Sequence, residues 1–154
     1  MKSKLAVLAV LLGLFIISGI IIAQVAKDYD TVLGVWLTGK ADAKVQIYKK
    51  NNKYYGKIIW LKTPNDEHGK PKVDKENPDE NLRKRPILGM EILTDFVYDE
   101  DYTWEDGDIY DPKSGSTYSC KMYLSKDYKT LEVRGYIGIS LFGRTEIWKR
   151  VDEQ

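Results

Sequence analysis

The 154-residue chain has one cysteine and one histidine. A lone Cys120 cannot close an internal disulfide, so no covalent staple holds the fold, and the thiol reads as a small buried hydrophobe. One Cys and one His cannot complete a tetrahedral zinc set. His68 sits in a polar stretch beside Asp66, Glu67 and Gly69, remote in sequence from Cys120. No nucleophile–base pairing of the Cys-His or Ser-His-Asp kind is therefore indicated. Net charge is also missing. Without Lys2 and Lys4 the chain carries 22 basic and 23 acidic side chains. That balance speaks against a nucleic-acid binder or a general binder of anionic membranes, both of which need excess positive charge. The glycines of "RGYIGISLFGR", Gly135, Gly138 and Gly143, have neither dinucleotide-fold nor P-loop spacing. The stretch reads as two strands with glycine-marked bends.

One long apolar run is present, from Leu5 to Ala23, preceded by Lys2 and Lys4. It has the layout of a secretory signal, and its length also suits an uncleaved signal anchor; cleavage is the favoured reading. Either outcome predicts an exported domain, periplasmic or extracellular, whose membrane contact is confined to residues 5–23 if they are retained. Residues 24–33 read as a linker. Because no cysteine stands directly after the run, a lipid-modified Cys anchor is excluded.

From residue 34 onward the pattern is all-β. Runs rich in Tyr, Trp, Ile and Val alternate with polar residues over 34–38, 43–50, 53–62, 90–98, 102–111, 117–125, 130–137 and 144–151. Short polar turns separate them, among them Asn51-Asn52 and the segment from Asp111 to Ser116. About eight strands in one domain predict a closed antiparallel barrel or a sandwich. Alternation places Val45, Ile47, Leu131 and Val133 on a dry face, with Tyr118, Cys120, Met122 and Leu124 from another strand. On the third strand it predicts an inner row of Tyr54, Gly56, Ile58 and Trp60. One connection is long: residues 63–86 hold four of the five prolines and many charges. A loop of that length is a lid, a binding loop or a mobile insert.

Other charged groups are read first as surface. Asp66, Glu67, Asp74, Glu76, Asn77 and Asp79 lack the EF-hand order of oxygen ligands and read as a solvated charge run, so no metal or cofactor is assigned. Glu105, Asp106, Asp108 and Asp111 supply carboxylates, yet nothing in the spacing sets two of them across a cleft. Arg134 and Arg144 flank the glycine bends; if turned inward, either needs a carboxylate partner such as Glu132, Glu146 or Asp111, or a ligand head group.

The first strand opens "GVW", Gly34 to Trp36, and the last ends "WKR", Trp148 to Arg150. This resembles the lipocalin and calycin signature, which implies Trp36 at the base of an up-and-down barrel with a basic residue packed across its indole. A second resemblance is longer. The blocks "GKIIWLK", "GKPKVDKENPDENLRKRPILGMEIL", "IYDPKSGSTYSCKM" and "LEVRGYIGISLFGRTEIWKRV" are similar to a family of exported bacterial proteins known as domain of unknown function 2147. That likeness implies a signal peptide and one small β-rich domain over 34–152, with no established reaction. The family's usual "GWIYDP" is "GDIYDP" here, with Asp108 in place of an aromatic.

These readings converge on an exported lipocalin-like barrel of about eight strands that binds an apolar or amphipathic small molecule without transforming it. Trp36, Tyr54, Trp60, Tyr118 and Met122 are the expected apolar wall, and Arg134 or Arg144 the polar anchor. The competing readings are a cell-envelope interaction module with a filled barrel, whose protein partner the sequence does not name, and, third, an enzyme.

Overall fold

In the computed structural model, which describes residues 29–139 and 141–151, period-two alternation becomes eight antiparallel strands. They are β1 (Gly34–Leu37), β2 (Ala43–Lys50), β3 (Lys53–Leu61), β4 (Glu91–Tyr98), β5 (Thr103–Asp111), β6 (Ser116–Leu124), β7 (Thr130–Tyr136) and β8 (Gly143–Arg150). Each pairs with its sequence neighbour, and β1 meets β8 through Trp36↔Arg150 and Leu37↔Lys149, which closes the barrel. Closure removes the exposed edges that an open sheet would offer. The expected signal segment, residues 1–23, lies outside the described residues, as do residues 24–28 of the linker. Among the described residues no helix is long and apolar enough to cross a membrane.

Local chemistry sets the turns. Asn51 and Asn52 both adopt positive φ, 51° and 60°, as a two-residue hairpin of the primed type requires and as Asn tolerates. This turn and the β4–β5 and β6–β7 turns lie at one end of the barrel. The β1–β2, β3–β4, β5–β6 and β7–β8 connections lie at the other.

The first end is sealed. Trp36 is fully buried, donates its indole N–H to Val32 O at 2.9 Å, and carries the Arg150 guanidinium 4.2 Å above its ring. Arg150 also donates to Leu33 O at 2.9 Å and to Tyr128 O at 2.6 Å. The plug is thus burial, cation–π attraction and three hydrogen bonds to backbone carbonyls of neighbouring segments. Behind it Tyr54, Phe96, Trp104 and Met122 fill the interior, with Trp104 edge-on to Tyr54 and Tyr98 at centroid distances of 6.0 and 5.2 Å. Phe96 lies so close to Gly107 that a Cβ there would meet the ring at 2.4 Å, so the glycine makes room for the aromatic.

The expected inner row of β3 holds for Tyr54, Gly56 and Ile58 and fails at Trp60. Val45 pairs with Ile58 while Lys44 pairs with Trp60, so Ile59 is an extra residue. A bulge shifts the parity by one. Trp60 is 40% exposed on the outer face, under the Lys44 ammonium at 5.4 Å, and Leu61 takes the inward place, packed against the core. Similar shifts occur opposite Gly56 in β4 and between Trp104 and Gly107 in β5.

Candidate functional site

The aromatic filling stops part-way up the barrel. Beyond it most inward residues are smaller: Ala43 from β2, Ile58 and Leu61 from β3, Ile92 from β4, Ile109 from β5, and Val133 and Gly135 from β7, with Tyr118 from β6 beside them. They line a cavity of about 1320 Å³ that opens at the end of the barrel where the β1–β2, β3–β4, β5–β6 and β7–β8 connections lie. Binding pockets usually run to about 300–1,000 Å³, so the space is ample for a small molecule.

On β8 the same parity sends Arg144, Glu146 and Trp148 to the cavity, while Ile147 faces outward. Trp148 is buried and donates its indole N–H to Glu146 Oε2 at 3.4 Å; Glu146 Oε1 lies 3.8 Å from Arg144 Nη2. The rim adds a second ion pair, Lys113 to Asp42 at 2.8 Å, and Thr38 donates to the same carboxylate at 2.8 Å. Burial alone would push the Asp42 carboxyl up, but the bonds from Lys113 and Thr38 outweigh it and hold it below its ordinary value. Lys113 is raised in return, chiefly by its bond to Asp42. The wall is apolar at depth and zwitterionic at the mouth.

Residues 62–90 form one side of that mouth, where they are anchored to the barrel. Asp66 accepts from the His68 and Lys70 amides at 2.9 Å each, and short antiparallel bridges join Asn65 to Pro71 and Val73 to Pro86. The anchor itself is Asp74, 0% exposed, which accepts from Tyr110 Oη at 2.6 Å and from Asn77 Nδ2 and Arg85 Nη2 at 2.8 Å each. Burial opposes its charge, yet the bonds from Tyr110, Asn77 and Arg85 prevail, and the carboxyl lies below its ordinary value. Burial and the bond to Asp74 push the Tyr110 phenol up to about 12. The β5–β6 turn packs on the same loop: Gly115 has φ of 71°, and a Cβ there would lie 1.9 Å from Glu76 O. Reading Asp74 and Asn77 as part of a solvated charge run is corrected, since both are buried.

Of the residues expected at the site, Tyr118 and Arg144 line the cavity. Trp36, Tyr54 and Met122 belong to the packed interior of the closed half, and Trp60 lies outside. Arg134 donates to Thr145 Oγ1 at 2.8 Å and to Leu141 O at 3.2 Å, bracing the base of the β7–β8 loop. Ile109 and Ile92 were not singled out by the sequence; Glu146 was expected only as a carboxylate partner for an inward arginine, and Trp148 only as part of the closing-strand motif. For β8 a signal was available, because Arg144, Glu146 and Trp148 share one parity. Cys120 is fully buried, and burial pushes its thiol up to about 12. Among the described residues no group of three or more His, Cys, Asp or Glu is placed to hold a metal ion.

Comparison with known proteins agrees with this geometry. No curated protein matches the sequence. A solved structure from Helicobacter pylori, described as "Protein HP1028 from the human pathogen Helicobacter pylori belongs to the lipocalin family", superposes with a TM-score of 0.67 at 25% identity. The match covers 79% of this chain and 84% of that one. The barrel is lipocalin-like in architecture, a class whose closed cup is generally a small-molecule binder. The family model described as "Uncharacterized protein conserved in bacteria (DUF2147)" matches residues 34–150, the whole barrel, and the chain belongs to that family.

Proposed function

We propose that the protein is an exported carrier or scavenger that binds a small apolar or amphipathic molecule in the open half of its barrel, without transforming it. The observation that carries this reading is the cavity of about 1320 Å³, apolar at depth and charged at the rim. That division suits a ligand with a hydrocarbon body and a polar end, the body excluded from water and the head held among paired charges. In this reading Tyr118 and Trp148 contact the body, and Arg144 with Glu146 and Lys113 with Asp42 orient the head. Trp36, Tyr54 and Met122 act from beneath as a rigid floor. A filled interior would have favoured a purely structural module; the hollow half supports the carrier. Export rests on the amino-terminal pattern of Lys2, Lys4 and the run from Leu5 to Ala23.

The test is titration with a fluorescent long-chain fatty-acid analogue, together with native mass spectrometry of the protein purified from its own host. Wild type binds one probe saturably, and Val133→Trp, which fills the cavity, weakens binding by about tenfold or more. Circular dichroism checks that the variant remains folded. Absence of both a saturable site and a copurified molecule would sink the reading.

A further inference from the structure

We propose that the β7–β8 loop docks the open end of the barrel onto a lipid bilayer that contains anionic phospholipid. Ile137, Ile139, Leu141 and Phe142 are 75%, 59%, 73% and 73% exposed. Four large, exposed apolar side chains within six positions of one loop form the kind of surface that marks an interaction site. The tip is directional. Ile137 and Phe142 line the cavity mouth, whereas Ile139 and Leu141 lie off it, so the loop is not folded inward as a lid.

Charge decides among occupants. From Arg134 to Arg144 the only side chains charged at neutral pH are those two arginines, one at each base of the tip. Arg134 is braced there by its bonds to Thr145 and Leu141, and Arg144 stands at the start of β8 beside Glu146. Apolar residues ahead of a pair of guanidinium groups match the layering of a bilayer interface, with hydrocarbon below and phosphate above. A second copy is a poorer fit: tip-to-tip contact brings four arginines together, and four side chains a side fall well short of the roughly 800 Å² per partner of a stable interface. The near-neutral domain gives little long-range attraction, and the affinity here comes from apolar insertion, with the arginines choosing the lipid. This docking does not depend on what the cavity holds, although Ile137, Phe142 and Arg144 also line its mouth. It adds a membrane contact that the charge balance alone did not predict.

The test uses the full chain carrying Ile139→Cys, labelled natively with an environment-sensitive fluorophore; buried Cys120 is shielded from the reagent. An Asn51→Cys protein labels the opposite end. On mixing with phosphatidylglycerol–phosphatidylethanolamine vesicles, the label at position 139 shifts to the blue and is quenched by a bilayer-embedded quencher, while that at position 51 is not. Adding Leu141→Asp lowers the inserted fraction at fixed lipid by roughly tenfold. Three results overturn the proposal: no response at position 139, an equal response at position 51, or a response that needs protein concentration and no vesicles, which would indicate self-association. Because the readout is local, attachment through residues 5–23 alone gives the first of these.

Discussion

Replacing Asp74 by Asn tests whether one carboxylate holds the long connection to the barrel. The substitution keeps an acceptor for Tyr110 but sets an amide N–H₂ against the donors of Asn77 and Arg85, each 2.8 Å from Oδ2 in the wild type. Bonds to a charged group contribute about 1.5–3 kcal/mol each. The Arg85 side chain is 39% exposed and can rehydrate, so its share is discounted. The expected loss is about 2–4 kcal/mol, below the cost of breaking a fully buried pair. Because the connection has its own backbone bridges, the loss should appear first as local opening. Hydrogen exchange is the assay: the amides of Asp74 and Ile87, bonded to Arg85 O and Lys72 O, should exchange roughly 30- to 1,000-fold faster than in wild type. The pH dependence has a fixed sign. The Asp74 carboxyl is depressed from 3.8, so its contribution is present above that value and is lost as pH falls through the lower folded value. Tyr110 is raised from 10.0 to about 12, so its contribution is present below pH 10 and is lost as pH rises through the higher value. Wild type in acid should come to resemble the Asn variant, and the variant should lose the acid limb. Unchanged exchange at these amides, with no shift in the urea midpoint, would refute the clamp.

Two further predictions test the packing. Trp60→Ala should cost under about 1 kcal/mol and Trp148→Ala about 3–5 kcal/mol by urea denaturation, since only the second empties a buried site; comparable costs would mean that the β3 bulge is misplaced. Cys120, with its thiol pushed up to about 12, should resist a thiol reagent at pH 8 in the folded protein and react in urea at the rate of an ordinary thiol. Prompt reaction of the folded form would contradict its burial.

Strand positions were legible because each strand alternates a dry and a wet face, and the inward residues of β2, β6 and β7 follow that alternation without interruption. Trp60 was misassigned because a bulge is a relation between two strands, and the β3 sequence alone does not record the extra residue. The seal was legible for a different reason. Trp36 and the basic end of β8 are separated by almost the whole domain, yet the resemblance to the lipocalin signature pairs them, and Arg150 does lie on the Trp36 ring. Asp74 had no such guide. Its partners Tyr110 and Arg85 lie 36 and 11 residues away, and an acidic residue among lysines and prolines has the composition of a solvated loop until tertiary contacts bury it.

The hollow half was the least legible feature, because it depends on side-chain volume along the barrel axis rather than on polarity. Both halves have apolar inward rows, so the hydrophobic pattern is the same in each. In the closed half the rows carry Tyr54, Phe96, Trp104 and Met122, and Gly107 lets Phe96 approach until no room for a Cβ is left. In the open half Tyr118 and Trp148 stand at the wall, but most inward places are held by Ala43, Val133 and Gly135 among isoleucines. Swapping large for small between the rows would preserve the alternation, and with it the barrel, while moving the void. A dry inner face and the presence of a binding space are therefore independent properties of this sequence: period-two alternation sets the first, and the axial order of large and small inward residues sets the second.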